Sequence, residues 1–334
     1  MVSSLGNRHS VLVTSAIDEK HRAIINEKLS GFADVIYAED YTKEDNLNAW
    51  KNKIDIILAG KNGLMLTYDD IAELNRLKFI QLLSAGADHL EFDKIDDRIS
   101  IASNSGSYSK SIAEHVLAIT FASFKNIVIG HNALKNGVFN NRLVSRDMSG
   151  LTVGVVGFGG IGKKVSSLFK RCLDADILAI NTTGITDHDV DFIGTINDLD
   201  VILGRSDIVV LSLPLTRFNR GLIGNKELKM MKSNALLVNV ARGDLIIQND
   251  LYVHLEENHN FHAAIDAWWD EPLTEIKLRA SEKFFSLDNF IGSPHNSYRS
   301  ESSILESRAN AAENIVRFIT GDKPEGIIIR SNYC

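Results

Sequence analysis

Three side chains in the second half of this 334-residue sequence are of types that together handle a carboxylate and a proton: Arg242, Glu271 and His295. Arg242 stands in Asn239-Val-Ala-Arg-Gly-Asp-Leu-Ile246, Glu271 in Asp266-Ala-Trp-Trp-Asp-Glu-Pro-Leu273, and His295 in Gly292-Ser-Pro-His295. Each lies just past a stretch that reads as a strand, and parallel sheets bind ligands beyond the carboxyl ends of their strands. The trio suits the reduction of a 2-oxo acid. The arginine can fork onto the substrate carboxylate and polarise the adjacent carbonyl, the histidine can deliver the proton, and the glutamate can orient the histidine and support its charge. Taken singly, each has a plainer role: an ion pair of Arg242 with Asp244, a helix N-terminal charge for Glu271 beside Pro272, a loop hydrogen bond for His295. Their company at strand ends favours chemistry.

A second motif names the partner of that chemistry. Val156-Gly157-Phe158-Gly159-Gly160-Ile161-Gly162-Lys163 has the spacing Gly-x-Gly-x-x-Gly, directly after an apolar run and at the start of a helical pattern. One glycine serves the tight turn, one the approach of a pyrophosphate, and one close helix–strand packing, while the helix N-terminus favours the phosphate charge. At the tip of the next strand, where an acid normally accepts from the adenosine 2′-hydroxyl of NAD, the sequence reads Asn181-Thr182-Thr183. None of these repels a 2′-phosphate, so the expectation leans from NAD towards NADP, although no arginine follows and Asp187 and Asp189 lie close by.

The elements that must hold these residues show a regular alternation. Apolar runs at 11–14, 33–37, 54–58 and 79–83 are separated by helical spacing at 21–29 and 68–77, and the last run enters the loop Ser84-Ala85-Gly86-Ala87-Asp88. After a long helix expected over 109–124, five strands follow at 151–156, 177–180, 208–212, 235–239 and 261–265, with helices between them. A last helix, 301–320, ends at Gly321 before Pro324. Strands alternating with helices predict an α/β chain of two doubly wound, Rossmann-like parallel-sheet domains.

Charge and composition exclude other classes. With 36 Lys+Arg against 43 Asp+Glu the chain is acidic and has no basic run, so a nucleic-acid partner is disfavoured. Two cysteines, Cys172 and Cys334, are too few for a disulfide framework or a thiolate metal site, and no metal is expected. No signal core or membrane-length apolar run is present, which makes the cytoplasm the expected location.

At this point the chain resembles the D-isomer-specific 2-hydroxyacid dehydrogenase family over nearly its whole length. The motifs that carry the resemblance are Ser84-Ala-Gly-Ala-Asp-His89, Ala113-Glu-His115, Leu213-Pro-Leu-Thr216, Val240-Ala-Arg242-Gly-Asp-Leu-Ile246, Asp266-x-x-x-x-Glu271-Pro272 and Pro294-His295. The resemblance implies Arg242, Glu271 and His295 as the catalytic trio and D stereochemistry of the product. It implies cofactor contacts from Gly157 to Gly162 and from Asn181, Thr182, Thr183, Leu213, Pro214, Val240, Ala241, Asp266 and His295. Substrate contacts are implied at Asn62, Ser84, Ala85, Gly86, Arg242 and Tyr298. A nucleotide domain of about 105–295, inserted in a flavodoxin-like substrate domain of 1–104 and 296–334, and a homodimer are further implications.

Departures narrow the choice within the family. Trp268-Trp269 stands where a smaller aliphatic and one aromatic are usual, and Asn296-Ser-Tyr-Arg299 replaces a run of small residues. Formate dehydrogenases are similar but have glutamine at the position of Glu271, which disfavours them. Glyoxylate/hydroxypyruvate reductase is the expected activity and a phosphoglycerate dehydrogenase stands behind it, in a short form, since no regulatory extension follows Cys334. The reading from another class is a nucleotide-sensing, corepressor-like protein without turnover, which the intact trio disfavours.

Overall fold

Runs of β-branched and aliphatic residues become the strands of two parallel sheets. The computed structural model describes residues 8–15, 17–40, 50–60, 66–271 and 282–333. The chain divides into two units, Met1–Tyr108 with Ser300–Cys334, and Ser109–Arg299.

In the first unit the elements are β1 (His9–Val13), α1 (Glu19–Leu29), β2 (Ala33–Tyr37), β3 (Ile56–Ala59), α2 (Tyr68–Ala72), β4 (Phe79–Leu82) and β5 (Ser100–Ala102). The sheet order is β2-β1-β3-β4-β5, all parallel. Alternation along β1 explains its position between layers. Leu12 joins one buried cluster with Ile57, Ile80 and Ile71, while Val11 and Val13 join another with Ile25, Leu29 and, from the final helix, Ala311 and Ile315. Asp18 caps α1 by accepting from the His21 amide at 3.0 Å, and Thr67 and Asp70 form a reciprocal capping box on α2. The helix expected over 68–77 is shorter, because its hydrogen bonds tighten to three-residue spacing: Leu74 N donates to Ile71 O and Leu77 N to Leu74 O. The apolar side chains Ile71, Leu74 and Leu77 are nonetheless all buried, since both helical geometries put every third residue on one side.

The second unit holds α3 (Ser109–Phe124), α4 (Ile127–Lys135), β6 (Thr152–Val156), α5 (Gly160–Leu173), β7 (Asp176–Ile180), β8 (Phe192–Gly194), α6 (Leu199–Arg205), β9 (Ile208–Leu211), α7 (Asn225–Met230), β10 (Leu236–Asn239), α8 (Gln248–Glu257), β11 (His262–Ile265) and β12 (Phe290–Gly292). Its sheet runs β12-β11-β10-β9-β6-β7-β8. Seven strands, rather than the expected five, are present because β8 and β12 are edge strands of three residues, too short to show periodicity. Both end on a glycine whose Cβ would collide with a neighbour, Asp198 at Gly194 and the Trp268 ring at Gly292. Asn289 secures β12 by donating from Nδ2 to the carbonyls of Leu255, Asn258 and Phe261 at 2.8–3.2 Å. The final helix of the chain, α9 (Glu301–Thr320), belongs to the first unit and ends at Gly321 with φ +84°. Among the described residues no single helix is long and apolar enough to cross a membrane.

Burial pushes the imidazoles of His115, His254 and His262 below the ordinary value of 6.5, in His115 and His254 against the pull of Asp266 and Glu257 respectively. The unfolded chain therefore binds these protons more readily than the folded one. Stability from the neutral rings is present above the unfolded value and is lost as pH falls through it towards the folded values. The thermal midpoint should fall when the pH is lowered from about 7 to about 5.5, and fall less in His262→Phe; equal slopes for the two proteins would contradict the assignment.

Candidate functional site

The site is built on the carboxyl edge of the seven-stranded sheet, where β6 and β9 lie side by side and the chain order reverses. At the end of β6 the backbone turns at Gly157 with φ +99°, and a Cβ there would lie 2.7 Å from Leu213 N. At Gly162 a Cβ would lie 2.5 Å from the Gly157 carbonyl, so both glycines are required by the protein's own packing. Gly159 is different. It is the N-cap of α5, and a Cβ built on it meets nothing within 4 Å. The bare backbone there faces open space at a helix N-terminus, which fits the pyrophosphate of a dinucleotide. Phe158 is buried with its amide on Ile180 O, and Ser212 Oγ donates to Gly157 O, tying the glycine turn to β7 and β9.

At the tip of β7, the Asn181 side chain closes its own loop. Its Oδ1 accepts from the amides of Thr183 and Gly184 at 3.0 and 2.7 Å, and its Nδ2 donates to Ile185 O. Thr182 and Thr183 are exposed. The two nearby acids face lysines of α5: Asp187 pairs with Lys163 at 3.0 Å and Asp189 with Lys170 at 3.0 Å. Lys163 holds the Asp187 carboxyl below the usual carboxylate range.

Three adjacent strands, β10, β11 and β12, deliver the polar trio. Their last residues are in register, Asn239 beside Ile265 and Ile265 beside Gly292. Beyond β10, the buried Asn239 folds its carboxamide back, accepting from Ala241 N and donating to Arg242 O, and so shapes the turn that presents Arg242. Val240 and Ala241 are buried, and Arg242 Nη1 donates to Ala241 O. Asp244 pairs with Arg220. Beyond β11, Glu271 Oε1 accepts from Trp268 N at 3.2 Å and meets His295 Nδ1 at 2.5 Å. Beyond β12, His295 adopts φ +48°, a left-handed conformation unusual for a residue other than glycine.

What holds that turn is Asp266, fully buried at the end of β11. Its carboxylate accepts from Ser293 Oγ at 2.5 Å and from the amides of Asn296 and Ser297 at 3.2 Å. Ser293 Oγ also meets His115 Nε2 from α3 at 2.9 Å. Sequence reasoning singled out Asp266 but passed over Ser293, because a serine in a loop has no distinguishing pattern. Its position between Asp266 and His115 is visible only in three dimensions. With Nδ1 of His295 engaged by a carboxylate, Nε2 is the atom left to exchange a proton with a substrate.

The remaining expected residues divide by unit. Tyr298 lies in the second, its ring edge-on to His295 at 6.2 Å. Leu213 and Pro214 follow β9, and Leu213 lies against Gly157. Ser84, Ala85 and Gly86 follow β4 in the first unit, where Ser84 Oγ donates to Gly86 O and Ser84 O accepts from Asn104 N. Asn62 lies outside the described residues.

Residues 117–297 match the model of a family described as D-isomer specific 2-hydroxyacid dehydrogenase, NAD binding domain. Among curated proteins, a D-3-phosphoglycerate dehydrogenase of Methanocaldococcus jannaschii is 30% identical over 330 residues, 96% of this chain and 60% of the relative. The chain thus spans less than two thirds of that protein. A hydroxypyruvate reductase of Thermotoga maritima is 27% identical over 293 residues, 86% of this chain and 91% of the relative. Among solved structures, an NAD-complexed D-isomer specific 2-hydroxyacid dehydrogenase of Lactobacillus delbrueckii ssp. bulgaricus shares the fold with a TM-score of 0.79 at 20% identity, over 96% of this chain and 100% of that one.

The Arg242 turn and the turn from Asp266 to Glu271 touch through Gly243, where a Cβ would lie 2.3 Å from the Trp268 carbonyl carbon and 2.4 Å from Trp269 N. Backbone cannot yield as a side chain does. Gly243→Ala should therefore destabilise the protein by roughly 1–3 kcal/mol, read from the urea midpoint, and a wild-type midpoint would show that the two turns do not abut.

Proposed function

As the chain belongs to the D-isomer specific 2-hydroxyacid dehydrogenase family, whose members are NAD-dependent oxidoreductases, we propose that it reduces a small 2-oxo acid to the D-2-hydroxy acid and catalyses the reverse reaction. The observation that carries the reading is the 2.5 Å contact between His295 Nδ1 and Glu271 Oε1, on the same sheet edge as Arg242 and the glycine turn. Bound nicotinamide supplies the hydride. Arg242 receives the substrate carboxylate and stabilises charge on the carbonyl oxygen as it becomes an alkoxide. His295 gives that oxygen its proton from Nε2, and Glu271 holds the imidazolium in place. Ser84, Ala85 and Gly86, with Asn62, are proposed substrate contacts in the portion 1–104 and 296–334. The portion 105–295 is assigned to the nucleotide.

For the cofactor we favour NADP slightly. The absence of an acid at Asn181, and the lysine partners of Asp187 and Asp189, support tolerance of a 2′-phosphate. The names of the two relatives suggest hydroxypyruvate and 3-phosphohydroxypyruvate as substrates to try, with glyoxylate beside them. Absorbance at 340 nm should fall with one of these acids and one cofactor, and Arg242→Ala and His295→Gln should each lower kcat/KM by about a hundredfold or more. No turnover with either cofactor, while both raise the melting temperature, would replace this reading with a nucleotide-binding protein lacking catalysis.

The proposed partner of the chain is a second copy. On α4 and the segment after it, Ile127, Leu134, Val138, Phe139 and Val144 are exposed, Phe139 at 80% and Val144 at 88%. So many exposed apolar side chains close in sequence are costly in water and are covered when two such segments meet. Light scattering should give the mass of a dimer, and Phe139→Glu with Val144→Glu that of a monomer; a monomeric wild-type protein would refute the interface.

A further inference from the structure

We propose that Trp268 is a positioning residue that locks Glu271 to His295 by hydrogen-bonding to the segments of both at once. The inference rests on the reading of Glu271 and His295 as the acid–base couple. Trp268 donates its backbone N–H to Glu271 Oε1 at 3.2 Å, the oxygen that also meets His295 Nδ1. Its indole Nε1–H donates to Ser293 O at 2.8 Å. That same carbonyl accepts from His295 N at 3.0 Å, closing the tight turn in which His295 takes φ +48°. The peptide of Ser293 precedes Pro294, so it has no N–H of its own to anchor it, and the carbonyl is its one polar handle. The indole fixes that handle.

The ring is itself buried and packed. Trp268 is 7% exposed, lies against Phe285 and Phe290 with centroids 5.6 and 6.0 Å away, and fills the space where a Cβ on Gly292 would be, 2.7 Å from its ring. A rigid donor aimed at the base of the histidine turn holds the turn's peptide plane, while Asp266 and His115 hold the Ser293 side chain on its other side. A phenylalanine would keep the packing and lose the grip, because it has no N–H. Trp269 makes the same kind of bond in another place, donating from Nε1 to Ile246 O behind Arg242.

The test compares Trp268→Phe with Trp269→Phe, reading kcat, KM and the far-downfield proton resonance of the Nδ1–H shared with Glu271, assigned by its loss in His295→Gln. Trp268→Phe should fold, lower kcat roughly tenfold with the KM of the cofactor unchanged, and shift that resonance upfield as the contact lengthens. Trp269→Phe should leave the resonance in place. Wild-type kcat and an unmoved resonance in Trp268→Phe would overturn the proposal, as would an equal shift in both variants. Wild-type turnover in both His295→Gln and Glu271→Gln would instead overturn the acid–base reading beneath it.

Discussion

A carboxylate with no access to water must find its donors within the protein, and the second unit is organised around one that does. Asp266 is fully buried at the end of β11 and takes Ser293 Oγ and the amides of Asn296 and Ser297 as its donors. Those three donors lie on both sides of His295 in the chain. Satisfying the acid therefore folds the turn that holds the histidine in a left-handed conformation, which a less constrained loop would relax. From there the geometry propagates outward. His295 meets Glu271, Glu271 meets the Trp268 amide, and Trp268 abuts Gly243 beside Arg242.

The sheet makes that chain of contacts possible. Parallel strands end on one edge, and three neighbours in register deliver the arginine, the glutamate and the histidine to the same level without any of the three segments being long. The same edge, two strands beyond β10 at β6, opens the glycine turn at the N-terminus of α5. The glycine turn and the trio then belong to one parallel sheet. Rigidity matters because catalysis by positioned groups loses steeply with small displacements.

Much of this was legible in the chain itself. Parallel strands buried on both faces are near-continuous apolar runs, so β1, β6, β9 and β10 stand out, and turn glycines and caps mark the helices. The strands that escaped, β5, β8 and β12, are three residues long at sheet edges, where pairing with a neighbour and not local preference makes the strand. The end of α2 escaped for a related reason, since α- and 3₁₀-helical turns bury the same apolar positions.

The types of the proposed catalytic residues were thus determined by sequence: an arginine and a glutamate after expected strands, a histidine in the turn Gly292-Ser-Pro-His295, and glycines at dinucleotide spacing. Their relations were decided by tertiary structure. Glu271 and His295 lie 24 residues apart and meet only because β11 and β12 pair in register. Ser293 acquires its importance from Asp266 and His115, which reach it across 27 and 178 residues. By type Asn181 does not repel a 2′-phosphate and offers it donors, yet its carboxamide is spent on closing its own loop. A side chain's hydrogen-bonding capacity is a property of its type, whereas what consumes that capacity depends on which groups folding brings within reach.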